Sequence, residues 1–390
     1  MSAEWSSSTL GEFVRLQRGH DLTASEQQPG DIPIMGSAGP NGTHSTALAN
    51  GPGVVVGRSG ASAGRVHFID VDYWPHNTCL YVTDFLGNSP RFAYYLLQTL
   101  DLASFNSGSA QPSLNRNFLY SIPLKIPTRL EQDGIVALLS VLDDRIALLQ
   151  ETNATLEAIA QALFKSWFVD FDPVRAKMEG RVPEGMDEAT ARLFPDSFEE
   201  SELGLVPRGW AIGILSDLLV LQRGFDLPSQ DRVPGDFPII AASGPSGTHH
   251  EFMAKGPGVM TGRSGVLGKV FLELEDYWPL NTTLWVKEFR AATPCFAYEV
   301  LRMLDFQSFN AGSAVPSLNR NHIHGLRYLI PQRSCIDAYE AIAMDLHMRV
   351  KLNSQQAQTL ATLRDTLLPR LISGQLWLPE AQATAEEALA

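Results

Sequence analysis

Residues 128–168 read TRLEQDGIVALLSVLDDRIALLQETNATLEAIAQALFKSWF and carry apolar residues at a strict spacing of seven. One row consists of Ile135, Leu142, Leu149, Leu156 and Leu163, and the offset second row of Leu139, Ile146, Asn153 and Ala160. Two such rows form the seam of a coiled coil. Thr128 followed by Glu131 is a capping-box start. The stretch predicts one helix of about 35 residues, about 50 Å long, that needs a partner helix.

A second candidate helix lies near the end of the chain, from about Ser334 to Ile372. Its seam residues are Tyr339, Leu346, Leu360 and Leu367, with Asn353 and Arg364 at two further seam positions. Gly374 stands where a glycine commonly ends a helix. We expect the two long helices to pair antiparallel.

The chain between these helices repeats the chain before the first one. LQRGHDL (16–22) returns as LQRGFDL (221–227), GPGVVVGRSG (51–60) as GPGVMTGRSG (256–265), and SFNSGSAQPSLNRN (104–117) as SFNAGSAVPSLNRN (308–321). Such collinear identity indicates a duplicated domain of about 120 residues, each copy followed by a long helix. Short apolar runs between glycine-rich turns predict mixed α/β structure in each copy.

The predicted fold class is therefore α+β. Two duplicated α/β domains are separated by two long helices that form an antiparallel coiled coil with approximate two-fold symmetry. The predicted domains are residues 1–127, a spacer helix 128–171, an acidic linker 172–207, a second domain 208–331, a second spacer helix 332–376 and a flexible tail 377–390. Two similar heads on a spacer of this length suit a split DNA site, although a protein with two epitopes would satisfy the spacing equally.

The net charge of −13 argues at first against a polyanionic ligand. The acidity is concentrated, however, because residues 128–203 carry a net charge of −9, whereas residues 1–127 carry −2 and residues 204–331 carry 0. A local basic face on either copy therefore stays compatible with nucleic-acid binding. Three cysteines without metal-ligand spacing, no apolar run long enough to span a membrane and no secretory leader predict a cytoplasmic protein.

The chain resembles, along its whole length, the specificity subunits of Type I restriction-modification systems. The resemblance rests on GSAQPSLNRN (108–117), ALFKSWFVDFDPVRAK (162–177), PRGWAIGILSDL (207–218) and LRDTLLPRLISGQL (363–376). It implies two target-recognition domains that each read one half of a bipartite site in double-stranded DNA. It also implies helical spacers that fix the gap and bind two adenine N6-methyltransferase subunits, which motor and nuclease subunits can join.

The glycine-rich segment 57–66 and its counterpart 262–270 are the first candidate for DNA contact. Small residues allow such a loop to approach a groove closely, where arginine reaches guanine edges or phosphate. The same glycines would also suit an ordinary hairpin turn. The predicted contacts are Arg58, Ser59, Ser62, Arg65, Arg263, Ser264 and Lys269.

Two further repeated segments supply weaker candidates. His44 and His249, in the repeated GP-GTH segment, are predicted to bond a phosphate or base, or else to be satisfied histidines of a surface turn. In the repeated PSLNRN segment, structure is the favoured role for the Pro-Ser-Leu-Asn core that ends in Asn115 and Asn319. The predicted DNA contacts there are Ser109, Arg116, Ser313 and Arg320, with Gln111 as a further polar group. No metal site is predicted.

Aromatic residues at the end of the first long helix suit either a packed helix end or a partner surface. In a family whose spacer binds other subunits, the predicted partner contacts are Phe164, Trp167, Phe168 and Leu367.

Catalytic signatures are missing from the sequence. There is no Asn-Pro-Pro or Asp-Pro-Pro methyltransferase tetrapeptide, no nucleotide-binding P-loop, no Gly-x-Ser-x-Gly and no His-Glu-x-x-His. We therefore expect a non-catalytic chain without cofactors, with S-adenosylmethionine and ATP bound by partner subunits. The alternatives are a coiled-coil scaffold with two protein-binding heads and an enzyme of unrecognised type.

Overall fold

The chain divides into two compact units that share both long helices. The structure, a computed structural model, describes residues 5–105, 113–309 and 317–389. Unit 1 comprises Met1–Leu149 and Gln355–Ala390, and unit 2 comprises Gln150–Ser354. Each unit therefore contains one copy of the duplicated domain and one half of each long helix.

The first copy, in unit 1, consists of three small sheets and short helices. Its strands are β1 (Ser6–Thr9), β2 (Arg15–Arg18), β3 (Ile32–Gly36), β4 (Gly39–His44), β5 (Gly53–Gly57), β6 (Val66–Ile69), β7 (Trp74–Pro75), β8 (Cys79–Asp84) and β9 (Pro123–Ile126). Its helices are α1 (Leu10–Phe13), α2 (Pro90–Thr99) and α3 (Arg116–Leu119). The sheets have the orders β2-β8-β5-β6, β4-β3-β7 and β1-β9.

Capping devices explain where helix α2 and the first long helix begin. Ser89 accepts a hydrogen bond from the amide of Phe92 at 3.4 Å, with Pro90 at the first position of α2. The long helix α4 (Arg129–Phe168) follows β9. Before its first turn, the amide and hydroxyl of Thr128 both donate to the Glu131 carboxylate at 2.9 Å. These bonds satisfy groups that a helix terminus would otherwise leave open.

In unit 2, a folded connector follows α4 in the segment that the sequence predicted as an acidic linker. It contains helices α5 (Asp172–Met178) and α6 (Glu188–Leu193) and the hairpin β10 (Phe198–Ser201) with β11 (Gly204–Pro207). The segment folds because it carries apolar anchors. Val174, Phe194 and Val206 are buried, and the first two belong to the core of unit 2.

The second copy repeats the sheet orders of the first. Its strands are β12 (Ala211–Ile214), β13 (Leu219–Arg223), β14 (Phe237–Ala241), β15 (Gly244–His249), β16 (Gly258–Gly262), β17 (Val270–Glu273), β18 (Trp278–Pro279), β19 (Thr283–Phe289) and β20 (Arg327–Ile330), and its helices are α7 (Leu215–Leu218), α8 (Pro294–Arg302) and α9 (Arg320–His324). The orders β13-β19-β16-β17, β15-β14-β18 and β12-β20 match those of unit 1 strand for strand.

The second long helix, α10 (Arg333–Ile372), pairs with α4 inside each unit. In unit 2, Tyr339 donates to the carbonyl of Ala160 and Asn353 to the side chain of Asn153, so the helices run antiparallel. In unit 1, Arg364 of α10 is bonded to Asp143 of α4 at 2.8 Å. The predicted fold class of two α/β domains with an antiparallel helix pair is thus confirmed.

The chain ends in a packed helix where the sequence predicted a flexible tail. Gly374 adopts the expected left-handed conformation (φ +73°), and helix α11 (Leu378–Leu389) follows. Ala381 and Ala385 are 0% and 1% exposed and belong to the core of unit 1. The prediction was wrong because small alanines four residues apart form a narrow packing face that overall polarity conceals.

Candidate nucleic-acid interface

The same arginine-bearing loop follows the central strand of the main sheet in both units. In unit 1 it leaves β5 at Gly57, and the amide of Arg58 donates to the carbonyl of Thr78 at 2.9 Å. In unit 2 it leaves β16 at Gly262, and Arg263 donates to Thr282 at 2.7 Å. The two loops are therefore fixed to corresponding points on corresponding sheets, as we expect of residues with a shared task.

Glycine is required at the base of this loop. A Cβ at Gly57 would collide with the carbonyl oxygen of Ser62, and one at Gly262 with that of Val266. Gly60 (φ +78°) and Gly265 (φ +84°) adopt the left-handed conformation that other residues rarely take. The glycines therefore form a tight turn, which was the alternative to direct DNA contact. This turn fixes the backbone conformation next to the arginines.

The structure joins two segments that the sequence offered as separate candidates. Ser59 forms a β-bridge with Ser113, and Ser264 forms the matching bridge with Ser317. Bonds of 2.8 and 2.9 Å run from the amides of Leu114 and Leu318 to the carbonyls of the two loop arginines. The loop and the segment that leads into α3 or α9 thus form one surface in each unit.

Six predicted cations lie on these surfaces. Arg58 and Arg263 are half-buried, whereas Arg65, Lys269, Arg116 and Arg320 are exposed. Among the residues that the structure describes, none of these six forms an ion pair. Unpaired cations on a rigid backbone can neutralise phosphates without first losing a carboxylate partner.

Arg116 has a structural role besides. Its guanidinium donates to the carbonyl of Leu16 at 3.0 Å. The neighbouring Asn115 caps α3 by accepting from the amide of Asn117, and Asn319 caps α9 in the same way. This agrees with the structural role favoured for the asparagines. Ser109, Gln111 and Ser313 lie outside the described residues.

A polar cluster lies beside the loop, and none of its residues was among the predicted DNA contacts. Arg18 pairs with Asp21 at 3.1 Å, and Asp21 also accepts a hydrogen bond from the Asn77 amide. That hydrogen bond lowers the pKa of Asp21. Unit 2 repeats the cluster with Arg223, Asp226 and Asn281. The signal was present in the sequence, since the repeated segments LQRGHDL and LQRGFDL and the repeated NT dipeptide carry these residues.

The remaining loop residues differ in accessibility. Ser59, Ser62 and Ser264 are partly exposed and stay available for contact. Leu267, which replaces small residues of the first loop, is only 8% exposed and packs into the core of unit 2. The middle of the second loop is therefore used partly for packing.

The burial of His44 and His249 contradicts their predicted DNA contact. They are 6% and 3% exposed. Each ring meets a tryptophan edge-on, at 5.0 Å from Trp74 and 5.1 Å from Trp278. Each Nδ1 lies within hydrogen-bonding distance of a backbone amide, that of Gln28 or Val233. The alternative, a satisfied histidine in a turn, is the observed one.

The predicted partner surface on the first long helix is also core. Phe164, Trp167 and Phe168 are at most 9% exposed and pack against unit 2 rings such as Phe296 and Tyr339. Leu367 is 3% exposed in the core of unit 1. The prediction failed because aromatic side chains bury a large apolar area, and other segments of unit 2 cover these rings.

One group of potential metal ligands occurs in the described part of the chain. Donor atoms of His249, His250 and Glu251 lie within 4.8 Å of one another. The first copy has His44, Ser45 and Thr46 at the matching positions, so the group is no shared feature of the two units. Along the same described stretches, no helix combines the length and the apolarity that crossing a membrane requires.

Comparison with known proteins shows what this chain resembles. Residues 2–158 match the sequence model described as the Type I restriction modification DNA specificity domain. The chain is 26% identical to the Type I restriction enzyme HindI specificity subunit of Haemophilus influenzae, covering 80% of this chain and 84% of that one. The chain is therefore similar to the specificity subunits of Type I restriction enzymes. The resemblance drawn from the sequence motifs is thereby confirmed.

Further similar proteins extend the likeness to both halves of the chain. The chain is 22% identical to the MjaIX specificity subunit of Methanocaldococcus jannaschii, over 75% of this chain and 71% of that one. The fold is similar to the crystal structure of a Type I S subunit from M. genitalium, with a TM-score of 0.63, 17% identity and coverage of 94% and 96%. The similarity in fold therefore extends over nearly the whole chain.

Proposed function

We propose that this chain is the DNA-reading, non-catalytic subunit of a Type I methylating and restricting complex. Each unit reads one half of a bipartite site in double-stranded DNA. The observation that supports this most strongly is the repeated loop, which places Arg58 and Arg263 at matching points of two copies of one fold. Neither arginine forms an ion pair among the described residues. The family model over residues 2–158 supports DNA specificity as the role of that fold.

Catalysis is assigned to partner subunits. Two adenine N6-methyltransferase subunits bind this chain, and motor and nuclease subunits join them. S-adenosylmethionine and ATP are bound by those partners, which agrees with the lack of methyltransferase and P-loop motifs in this sequence. Since Phe164, Trp167, Phe168 and Leu367 are core residues, partner binding uses other residues.

A binding titration tests the proposal. The chain, assembled with its modification subunits, is titrated against duplexes that contain or lack the methylated sequence, at several salt concentrations. We expect affinity for the methylated sequence to exceed that for unrelated duplex by at least about 10³-fold and to fall steeply with salt. Equal affinity for all duplexes, or binding that is insensitive to salt, would favour the protein-binding scaffold instead.

A further inference from the structure

Asn153 of α4 and Asn353 of α10 meet inside the seam of the helix pair in unit 2. The Asn353 amide donates to the side-chain oxygen of Asn153 at 2.9 Å. Asn153 in turn donates to the carbonyl of Val350 at 3.1 Å and to the hydroxyl of Ser354 at 2.9 Å. Asn353 is only 3% exposed, so this network replaces apolar packing at one level of the seam.

The network is satisfied in one register of the helices only. A slip of one heptad would bring Asn153 to the level of Leu346 or Leu360, and Asn353 to the level of Ile146 or Ala160. Either slip buries amide groups without partners, which is costly, whereas an apolar seam tolerates such a slip more readily. A single buried asparagine pair is a well-attested means of specifying helix register.

We propose that Asn153 and Asn353 are positioning residues that select one register of the spacer helices and thereby one gap length in the DNA target. This inference rests on the proposed function. One heptad corresponds to about 10 Å along a helix, which is about 3 base pairs of B-DNA. A specificity subunit with this pair therefore rejects sites whose gap differs by about 3 base pairs.

The test uses the full chain assembled with its modification subunits. DNA substrates carry both half-sites separated by gaps from 4 base pairs shorter to 4 base pairs longer than the natural one, and adenine methylation is measured on each. The test variant is Asn153→Leu with Asn353→Leu, which keeps the seam buried but removes its polar requirement. The matched control, Gln150→Leu with Gln355→Leu, changes exposed positions of the same two helices.

The wild type and the control are expected to methylate only the natural gap. The leucine pair is expected to methylate gaps about 3 base pairs shorter or longer at least tenfold faster than the wild type does. Methylation confined to the natural gap in a folded leucine variant would overturn the proposal. If the wild type has no bipartite target at all, the proposed function fails instead, so the two failures are distinguishable.

A single substitution keeps the proposal testable if the double leucine variant folds poorly. In Asn353→Leu alone, Asn153 keeps its bonds to Val350 and Ser354. The same change in gap tolerance is expected at smaller amplitude. An unchanged gap profile in this folded single variant would also count against the proposal, because the hydrogen bond between the two asparagines across the seam is lost.

Discussion

The amide of Leu114 donates to the carbonyl of Arg58 at 2.8 Å, and Leu318 and Arg263 repeat the relationship at 2.9 Å in unit 2. Backbone bonds therefore hold each loop arginine from the sheet side and from the helix side. Their guanidinium groups form no ion pair among the described residues. A fixed backbone that carries a guanidinium without a carboxylate partner suits recognition of phosphate or guanine.

Removing either loop arginine is expected to weaken DNA binding. Arg58→Ala or Arg263→Ala should cost about 1–3 kcal/mol of binding free energy for a base contact, or lower the salt slope by about one for a phosphate contact. Fluorescence anisotropy over a salt series measures both. Arg192→Ala is the matched control, since Arg192 lies in the connector and pairs with Glu188. Unchanged affinity and salt slope in both loop variants would refute the loop assignment.

Asp143 is expected to anchor the first domain to its helices. It accepts from Tyr95 at 2.6 Å and from Arg364 at 2.8 Å and pairs with Arg91 at 3.4 Å. Asp143→Ala removes the carboxylate that Arg91 pairs with and leaves Arg364 with Asp365 alone. This should lower the free energy of unfolding by about 1–3 kcal/mol after allowance for solvent screening. Urea unfolding measures the change. Asp144→Ala, at an exposed neighbouring position, should be nearly neutral; equal effects would contradict the anchor.

His347 is expected to make the fold acid-sensitive. It is 7% exposed, and burial, followed by the nearby Arg302 charge, lowers its pKa to about 4. Because the unfolded chain then binds more protons than the fold between about pH 6.5 and pH 4, stability is lost as pH falls through that window. The loss is of the order of 3 kcal/mol. Urea unfolding at several pH values should show this slope, and His347→Phe should remove it.

The terminal helix is expected to stabilise unit 1. Ala385 is 1% exposed, whereas Ala383, two residues earlier on the same helix, faces solvent. Ala385→Glu should lower the melting temperature by several degrees, because a buried carboxylate has no partner there. Ala383→Glu should leave it nearly unchanged. Equal melting temperatures of the two variants would mean that α11 does not pack in solution.

Features set by local spacing could be predicted from the sequence. Heptad rows predicted both long helices, and Thr128 with Glu131 marked the start of the first one correctly. Thr293, in contrast, precedes Pro294 as a cap should but makes no capping bond. The open amide of Cys295 donates instead to Glu340 of α10. That partner lies 45 residues away, so no local pattern could have shown it.

The candidate site could be predicted only in part, because contacts between distant residues leave no local pattern in the sequence. Repetition pointed to the loop and PSLNRN segments, but their β-bridges join residues about 54 positions apart. His44 and His249 were misassigned because polarity alone does not show that a tryptophan covers the ring. The aromatic cluster at the end of α4 was misassigned because its covering residues come from distant segments of unit 2.

The most direct test of the central claim is a genome-wide map of methylated adenines in cells that express this chain with its modification subunits. The wild type should yield one bipartite motif. Arg58→Ala with Arg65→Ala should relax one half of that motif only, and Arg263→Ala with Lys269→Ala should relax the other half only. A contiguous motif, or both variants relaxing the same positions, would contradict the account.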